Sequence, residues 1–329
     1  MKKQIARAIT SAFLIAASIL STVTIAPKRA TAASLSTAII AMFPKNVGEF
    51  AYADLKTARK FPWFQQLNDQ VIPPRFKQFE QFLGTSGVDP NSQVEEIAWA
   101  NITSGKGDDV VGVALGQFNP SASETKLKAQ KVPAIDVQGF HLYAFGSGAG
   151  AGDILFVFFD SNTAAFGNRS VLEQLINVRM GGEETLLTGK LFPLISEANG
   201  NGTIWAVLDR EHTRLAMQQL LPQASQFPQA AAIVGRMHAM ILNIKADNGV
   251  DAHFQAVCDS VDDANLLSAA MQAGLMYRRY QEAQTNPTLA KTIDQVRVSP
   301  AGDRLNVDAP VSQEQLMSLI QTKAFASPM

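Results

Sequence analysis

The chain has little of what usually reveals an activity. Only one of its 329 residues is a cysteine, so no intramolecular disulfide can form. The sequence contains no Gly-x-Ser-x-Gly segment of the kind that holds a hydrolase nucleophile. The histidines do not recur at the spacing of a zinc-binding helix; they are His141, His212, His238 and His253. The sequence therefore predicts no catalytic residue, no metal site and no cofactor.

A cluster of positive charge is also missing. Lys and Arg number 28 against 29 Asp and Glu, and five of the basic residues fall in the first 32 positions, which leaves a net charge of −6 beyond them. A mildly acidic chain is a poor match for a phosphate backbone, so we expect no nucleic acid among its partners. No segment after residue 32 reaches the roughly 18 apolar residues of a membrane span, and we expect that part to be soluble.

The first 32 residues have the three parts of an export signal. An apolar run over residues 8–26 follows three positive charges, at Lys2, Lys3 and Arg7. Ala30-Thr31-Ala32 then fits the small-x-small pattern of a signal-peptidase site. This pattern predicts a signal peptide over residues 1–32 and a mature protein that is periplasmic or secreted.

The same apolar run permits a second interpretation. It is about as long as the ~17–25 residues that span a bilayer, so an uncleaved N-terminus could anchor the chain and be its contact with the membrane. A lipid-modified N-terminus is excluded, because that attachment needs a cysteine at the cleavage site. The single cysteine of the chain is Cys258, far from that site. Cys258 itself ends a strand pattern, which predicts a buried, inert thiol.

The rest of the chain runs through one order of elements twice. Strand, helices, two strands, helix, two strands and helix follow one another in each half, and the first strand of each half, Val47–Asp54 or Gly202–Asp209, ends in aspartate. Short loops between neighbouring strands indicate antiparallel sheets. We therefore predict an α+β fold of two related modules, 33–199 and 200–329, each a mostly antiparallel sheet covered by helices.

Several of these segments occur together in one group of proteins. They are an apolar lead-in ending at Pro44, a strand ending in Asp54-Leu55, an aromatic helix pair, the step Gly87-Val88-Asp89-Pro90 and a second strand of the form Trp205-Ala206-Val207-Leu208-Asp209. In this combination the chain resembles exported bacterial proteins of unknown function with a duplicated α/β module. The resemblance implies export and duplication and supplies no catalytic residues.

One aromatic segment is a candidate hydrophobic binding surface. The segment from Phe61 to Leu83 is far richer in rings than the chain average of 8%; its rings are Phe61, Trp63, Phe64, Phe76, Phe79 and Phe82. A helical pair interrupted by Pro73-Pro74 could bind an envelope protein or a hydrophobic ligand. Alternatively, Phe76, Phe79 and Leu83 share one helix face that packs against the first sheet.

Taken together, these features favour an exported, non-catalytic protein that acts by binding in the cell envelope. One alternative is a hydrolase whose site is assembled from dispersed residues, and another is a structural or assembly factor that uses its sheet surfaces. Asp54 and Asp209, at matching strand ends, could form the acid/base pair of the hydrolase, or each could cap the helix that follows. A polar pocket with converging carboxylates and a histidine would favour the hydrolase, and an aromatic groove would favour binding.

Overall fold

The computed structural model describes residues 34–64, 74–104, 107–146, 153–220, 234–246, 249–285 and 287–320. The chain forms two compact units. Among the described residues, the first unit comprises those within 35–58 and 74–193, and the second comprises residue 34 and those within 59–64 and 194–320. The predicted signal peptide and the glycine-rich residues 147–152 lie outside the described residues.

The sheet of the first unit has seven strands in the order β1-β2-β3-β7-β6-β5-β4, and each neighbouring pair is antiparallel. The strands are β1 (Val47–Asp54), β2 (Val94–Ser104), β3 (Gly107–Gly116), β4 (Ala134–Val137), β5 (Phe140–Phe145), β6 (Ile154–Phe158) and β7 (Thr163–Gly167). Since β7 pairs with β3, the last strand of the unit lies inside the sheet and β4 lies at the end of this order.

The described helices of the first unit begin at capping residues or prolines. They are α1 (Thr37–Ile40), α2 (Leu55–Ala58), α3 (Pro74–Thr85), α4 (Pro90–Gln93), α5 (Pro120–Ala129) and α6 (Arg169–Arg179), with a 3₁₀ turn at Leu186–Thr188. The Asn119 side chain accepts a hydrogen bond from the Ala122 amide at the start of α5. Asn168 caps α6 in the same way, through the Val171 amide. Asparagine is among the preferred residues at this position because its side-chain oxygen satisfies an amide that the helix leaves unpaired.

The sheet of the second unit has five strands in the order β11-β12-β10-β9-β8, again antiparallel throughout. The strands are β8 (Ile204–Asp209), β9 (Met237–Ala246), β10 (Gly249–Cys258), β11 (Arg297–Ala301) and β12 (Arg304–Ser312). The helices are α7 (Phe192–Ala198), α8 (Arg210–Leu220), α9 (Val261–Thr285), α10 (Pro287–Ile293) and α11 (Gln313–Ile320). Ser312 and Gln315 exchange side chain–backbone hydrogen bonds at the start of α11, the capping box that their spacing predicts.

Each unit packs helices on its sheet. In the first, Phe79 of α3 and Leu127 of α5 join a buried cluster with Phe156 of β6. In the second, Leu267 of α9 packs with Leu305 of β12. The predicted α+β class is therefore confirmed, with antiparallel sheets covered by helices. The border of the two units falls at Pro193/Leu194, whereas the predicted module boundary is at 199/200, and the described residues 59–64 belong to the second unit.

Candidate functional site

Helix α3 presents two phenylalanines to the sheet of the first unit. Phe79 and Phe82 are three residues apart, so both lie on one face of the helix. Phe79 is 3% exposed, and its ring centroid lies 5.8 Å from that of Phe145 and 6.2 Å from that of Phe156. Phe82 is half-buried and lies 5.3 Å from Phe145. The contacts between this helix face and the sheet are thus made by aromatic rings.

The sheet side of this contact comes from β5, β6 and β7. Phe156 and Phe166 are directly opposite each other on β6 and β7. The ring of Phe166 lies over Gly112 of β3, where an added Cβ would come 2.2 Å from the ring. Glycine at this position therefore leaves the space that the ring occupies. We call the five rings of Phe79, Phe82, Phe145, Phe156 and Phe166 the aromatic cluster.

The aromatic cluster is buried at its centre and open at its margin. Phe79 and Phe156 are buried, whereas Phe82, Phe145 and Phe166 are half-buried. Apolar surface that reaches solvent beside a covering helix is where an apolar molecule would be bound with the least rearrangement. The exposed faces and edges of these rings favour contact with flat or aliphatic parts of a ligand.

One polar group lies at the edge of the aromatic cluster. The ring of Tyr143 on β5 is buried, 5.8 Å from that of Phe156. Burial, together with the nearby carboxylate of Glu124 on α5, raises the pKa of Tyr143 to about 12. The phenol therefore stays protonated at neutral pH, and its hydroxyl hydrogen is attracted by the Glu124 carboxylate. The carboxylate of Glu124 would repel a second carboxylate placed beside it.

The structure divides the predicted aromatic surface between the two units. Phe79 and Phe82 belong to the first unit, and Phe61, Trp63 and Phe64 belong to the second. Trp63 is 2% exposed, with Phe61 at 6.0 Å and Phe64 at 6.1 Å between ring centroids.

Phe76 occurs in α3, but its side chain lies outside the described residues. Sequence reasoning missed Phe145, Phe156 and Phe166. Their signal was the recurrence of aromatic residues along strands β5 to β7.

The two matched aspartates cap helices, each in its own unit. The Thr57 amide donates to Asp54 Oδ1 at 2.8 Å, and the His212 amide donates to Asp209 Oδ1 at 2.9 Å. Burial acts to raise the pKa of Asp209, but hydrogen bonds from the ring and amide of His212 outweigh it and hold that pKa below the usual aspartate value. Capping therefore accounts for both positions.

Each histidine lies near an aspartate. His253 on β10 and Asp308 on β12 face each other with 2.7 Å between Nδ1 and Oδ1, and both are partly exposed. In nucleophilic catalysis, a His–Asp dyad activates a nucleophile that lies beside the other ring nitrogen of the histidine. The described residues contain no group of three or more His, Cys, Asp or Glu side chains arranged to hold a metal ion.

The Cys258 thiol is buried at the end of β10, as its strand pattern predicted. Burial, with Asp263, Asp259 and Asp303 nearby, raises its pKa to about 11. At neutral pH the group is therefore the unreactive thiol rather than the thiolate.

No described helix is both long enough and apolar enough to cross a membrane. No protein-family model matches the chain, and no curated protein does. Among solved structures, crystal form III of TP0453 superposes with a TM-score of 0.50 at 9% identity, over 85% of this chain and 96% of that one. Crystal form I of the same protein gives a TM-score of 0.48 at 11% identity, over 90% and 100% of the two chains. At this identity the likeness to TP0453 concerns the α+β fold alone.

Proposed function

We propose that the chain is an exported, non-catalytic binding protein of the cell envelope that takes an apolar ligand at the aromatic cluster. The observation that carries the proposal is the half-burial of Phe82 and Phe145 beside fully buried rings. Removing the exposed remainder of such rings from water is favourable, by about 25 cal/mol per Å² of apolar surface. A ligand that slides between α3 and the strands would complete their burial.

The polar edge of the aromatic cluster narrows the ligand class. The Tyr143 hydroxyl hydrogen is attracted by the Glu124 carboxylate, so a ligand acceptor would compete with that carboxylate for it, and Glu124 disfavours a second negative charge. A neutral molecule with an apolar body and one oxygen acceptor, such as a long-chain alcohol or ester, meets both conditions. A fatty acid would bring its carboxylate toward that of Glu124 and would bind less well.

The test uses protein expressed from the full-length sequence. Native mass spectrometry of that protein identifies co-purifying molecules, and titration with a fluorescent long-chain alcohol measures affinity. We expect Phe82→Ala to weaken binding about tenfold, which corresponds to about 1.4 kcal/mol and is within reach of one partly buried ring. Leu267→Ala is the control, because it removes a buried side chain from the second unit and leaves the aromatic cluster intact.

Three results would contradict the proposal. They are an affinity that Phe82→Ala leaves unchanged, an equal loss in Leu267→Ala, and a fatty acid that binds better than the matching alcohol. The last of these would reject the ligand class alone, because Phe82→Ala tests the location of the binding site separately.

Duplication of the module is a further part of the proposal. In the sheet of the first unit, the spatial order β1-β2-β3-β7-β6 corresponds to the first, second, third, last and next-to-last strands along the chain. The five strands of the second unit, in the spatial order β8-β9-β10-β12-β11, follow the same order. In both units the second and third strands form a hairpin, and the last strand pairs with the third. This match supports an origin of both units in one repeated module, and superposition of 45–180 on 200–322 in an experimental structure would test it.

A further inference from the structure

Helix α9 has apolar side chains on two opposite faces. Its inner face carries Ala264 and Leu267, which are buried against the second unit's sheet. Its outer face carries large apolar side chains that remain in water: Leu266 is 46% exposed, Met276 71% and Tyr280 77%. A helix that is apolar on both sides normally has a partner on both sides.

The outer residues recur at the spacing of a coiled-coil seam. Leu266, Ala269, Ala273, Met276 and Tyr280 are separated by alternating steps of three and four residues, and all five are exposed. This is the a/d pattern of a heptad repeat, sustained over two heptads. We call these five residues, with Asp262 one step earlier, the outer seam.

The outer seam is complementary to itself when read in the opposite direction. Placing Ala269 opposite Ala273 of an antiparallel copy also places Leu266 opposite Met276. The same register sets Asp262 opposite Tyr280, a carboxylate opposite a phenol that can donate to it. One register thus pairs small with small, apolar with apolar, and acceptor with donor.

We propose that the outer seam of α9 is the contact between two copies of this chain, packed antiparallel about a two-fold axis near residue 271. A two-fold contact uses the same surface on both copies, and the outer seam satisfies that condition without a second surface. The alanines at its centre let the two helices approach closely, while the larger side chains flank them.

The helix dipoles favour the same orientation, because antiparallel packing sets the two dipoles of α9 in opposition. The charged side chains near its ends are engaged within one copy: Asp263 is buried and pairs with Arg236, Arg278 pairs with Glu282, and Arg279 pairs with Asp294. The orientation therefore follows from the register of the outer seam and from the dipoles, and not from these charges.

The length of the contact sets the strength we expect. The helix has 25 residues. At 1.5 Å per residue it is roughly 37 Å long, and an alanine-centred pair of this length falls at the small end of interface sizes, near about 1,200 Å². We therefore expect a reversible dimer in the micromolar range and not an obligate one.

The first experiment is sedimentation velocity of protein expressed from the full-length sequence, over a concentration series. We expect a monomer–dimer equilibrium that Ala273→Glu shifts at least tenfold toward monomer, because two carboxylates would meet at the centre of the contact. Glutamate is a good helix former, so α9 itself should persist. The control is Ala122→Glu, which adds the same charge at an exposed alanine of α5.

The second experiment fixes the orientation. Ala269→Cys and Ala273→Cys are prepared separately and oxidised, alone and as an equal mixture. In the antiparallel register each cysteine lies about 6 Å along the axis from its own copy, and helices 8–10 Å apart then hold the two beyond disulfide reach. Only the mixture should cross-link, since it brings position 269 opposite position 273. The native Cys258 is buried and should not contribute.

Each remaining outcome overturns the proposal. These are a wild-type chain that is monomeric throughout the series, a dimer that Ala273→Glu leaves intact, and cross-linking by either variant alone. Flotation of a monomeric wild-type chain with phosphatidylcholine vesicles, lost in Ala273→Glu, would assign the outer seam to a lipid surface instead.

Discussion

Truncating Phe79 tests whether α3 is held to its sheet by the aromatic cluster. The ring is 3% exposed, and its aromatic neighbours among the described side chains include Phe82 at 6.5 Å, Phe145 at 5.8 Å, Phe156 at 6.2 Å and Phe166 at 6.2 Å between centroids. Phe79→Ala removes the ring from the middle of these contacts and leaves a cavity between helix and strands.

The expected loss of stability is large. Replacing a buried phenylalanine by alanine costs about 3–5 kcal/mol, from lost transfer free energy and the cavity that remains. Aromatic pairs contribute about 0.5–1.5 kcal/mol beyond area burial, which places Phe79 in the upper part of that range. We expect about 4 kcal/mol, a large share of the roughly 5–15 kcal/mol that stabilises an ordinary domain.

Urea unfolding, followed by hydrogen-exchange mass spectrometry, measures the loss and assigns it to a unit. The assignment matters because a chain with two units need not unfold in one step. Peptides from β5, β6 and β7 should lose protection first. Phe79→Leu is the matched control, since it keeps an apolar side chain and should cost clearly less. A change within about 0.5 kcal/mol, the size expected of a surface substitution, would refute the core role of the ring.

Three further predictions follow from the described contacts and from the sequence. Gly112→Ala should destabilise the first unit by about 1–3 kcal/mol in urea unfolding, because the new Cβ would overlap the Phe166 ring. The pKa of Asp209 is lowered in the fold, so its contribution to the free energy of unfolding is present above the usual aspartate pKa of 3.8 and is lost as pH falls through the lowered pKa. Asp209→Ala should therefore lower stability at neutral pH and flatten the pH dependence of the free energy of unfolding below that value. N-terminal sequencing of the exported protein should begin near Ala33, and an intact Met1 in the membrane fraction would support the anchor.

Elements with a strong local signal were predicted closely from the sequence. The bounds of β1, Val47–Asp54, agree with the prediction, and Asp54, which caps the following helix, marks the end of the strand. The short strands β4 and β7 were missed. β7 is five residues rich in alanine and glycine, and it is a strand because β3 and β6 supply hydrogen bonds on both sides. Pairing of this kind is a tertiary effect that a local pattern does not contain.

The candidate site, too, could be predicted from the sequence only where local spacing decides which residues come together. Helical spacing correctly places Phe79 and Phe82 on one face of α3. Sequence proximity suggested that Phe61, Trp63 and Phe64 belong with them, but the structure assigns these three to the other unit. The partners of Phe79 come instead from strands far along the chain. Strand alternation shows which residues share a face, but it does not tell which helix covers that face.

The two proposals make one joint prediction, because they rest on different units. The aromatic cluster lies in the first unit and the outer seam lies in the second. Phe82→Ala should therefore weaken ligand binding and leave the monomer–dimer constant unchanged, whereas Ala273→Glu should do the reverse. Sites without shared partners combine additively, so the double variant should show both losses at their single-variant size, within about 0.5 kcal/mol. Ligand titrations at protein concentrations below and above the dimerisation constant measure this directly. An affinity that rises with dimerisation in the wild type, and loses that rise in Ala273→Glu, would show that the two sites are coupled and that independence is wrong.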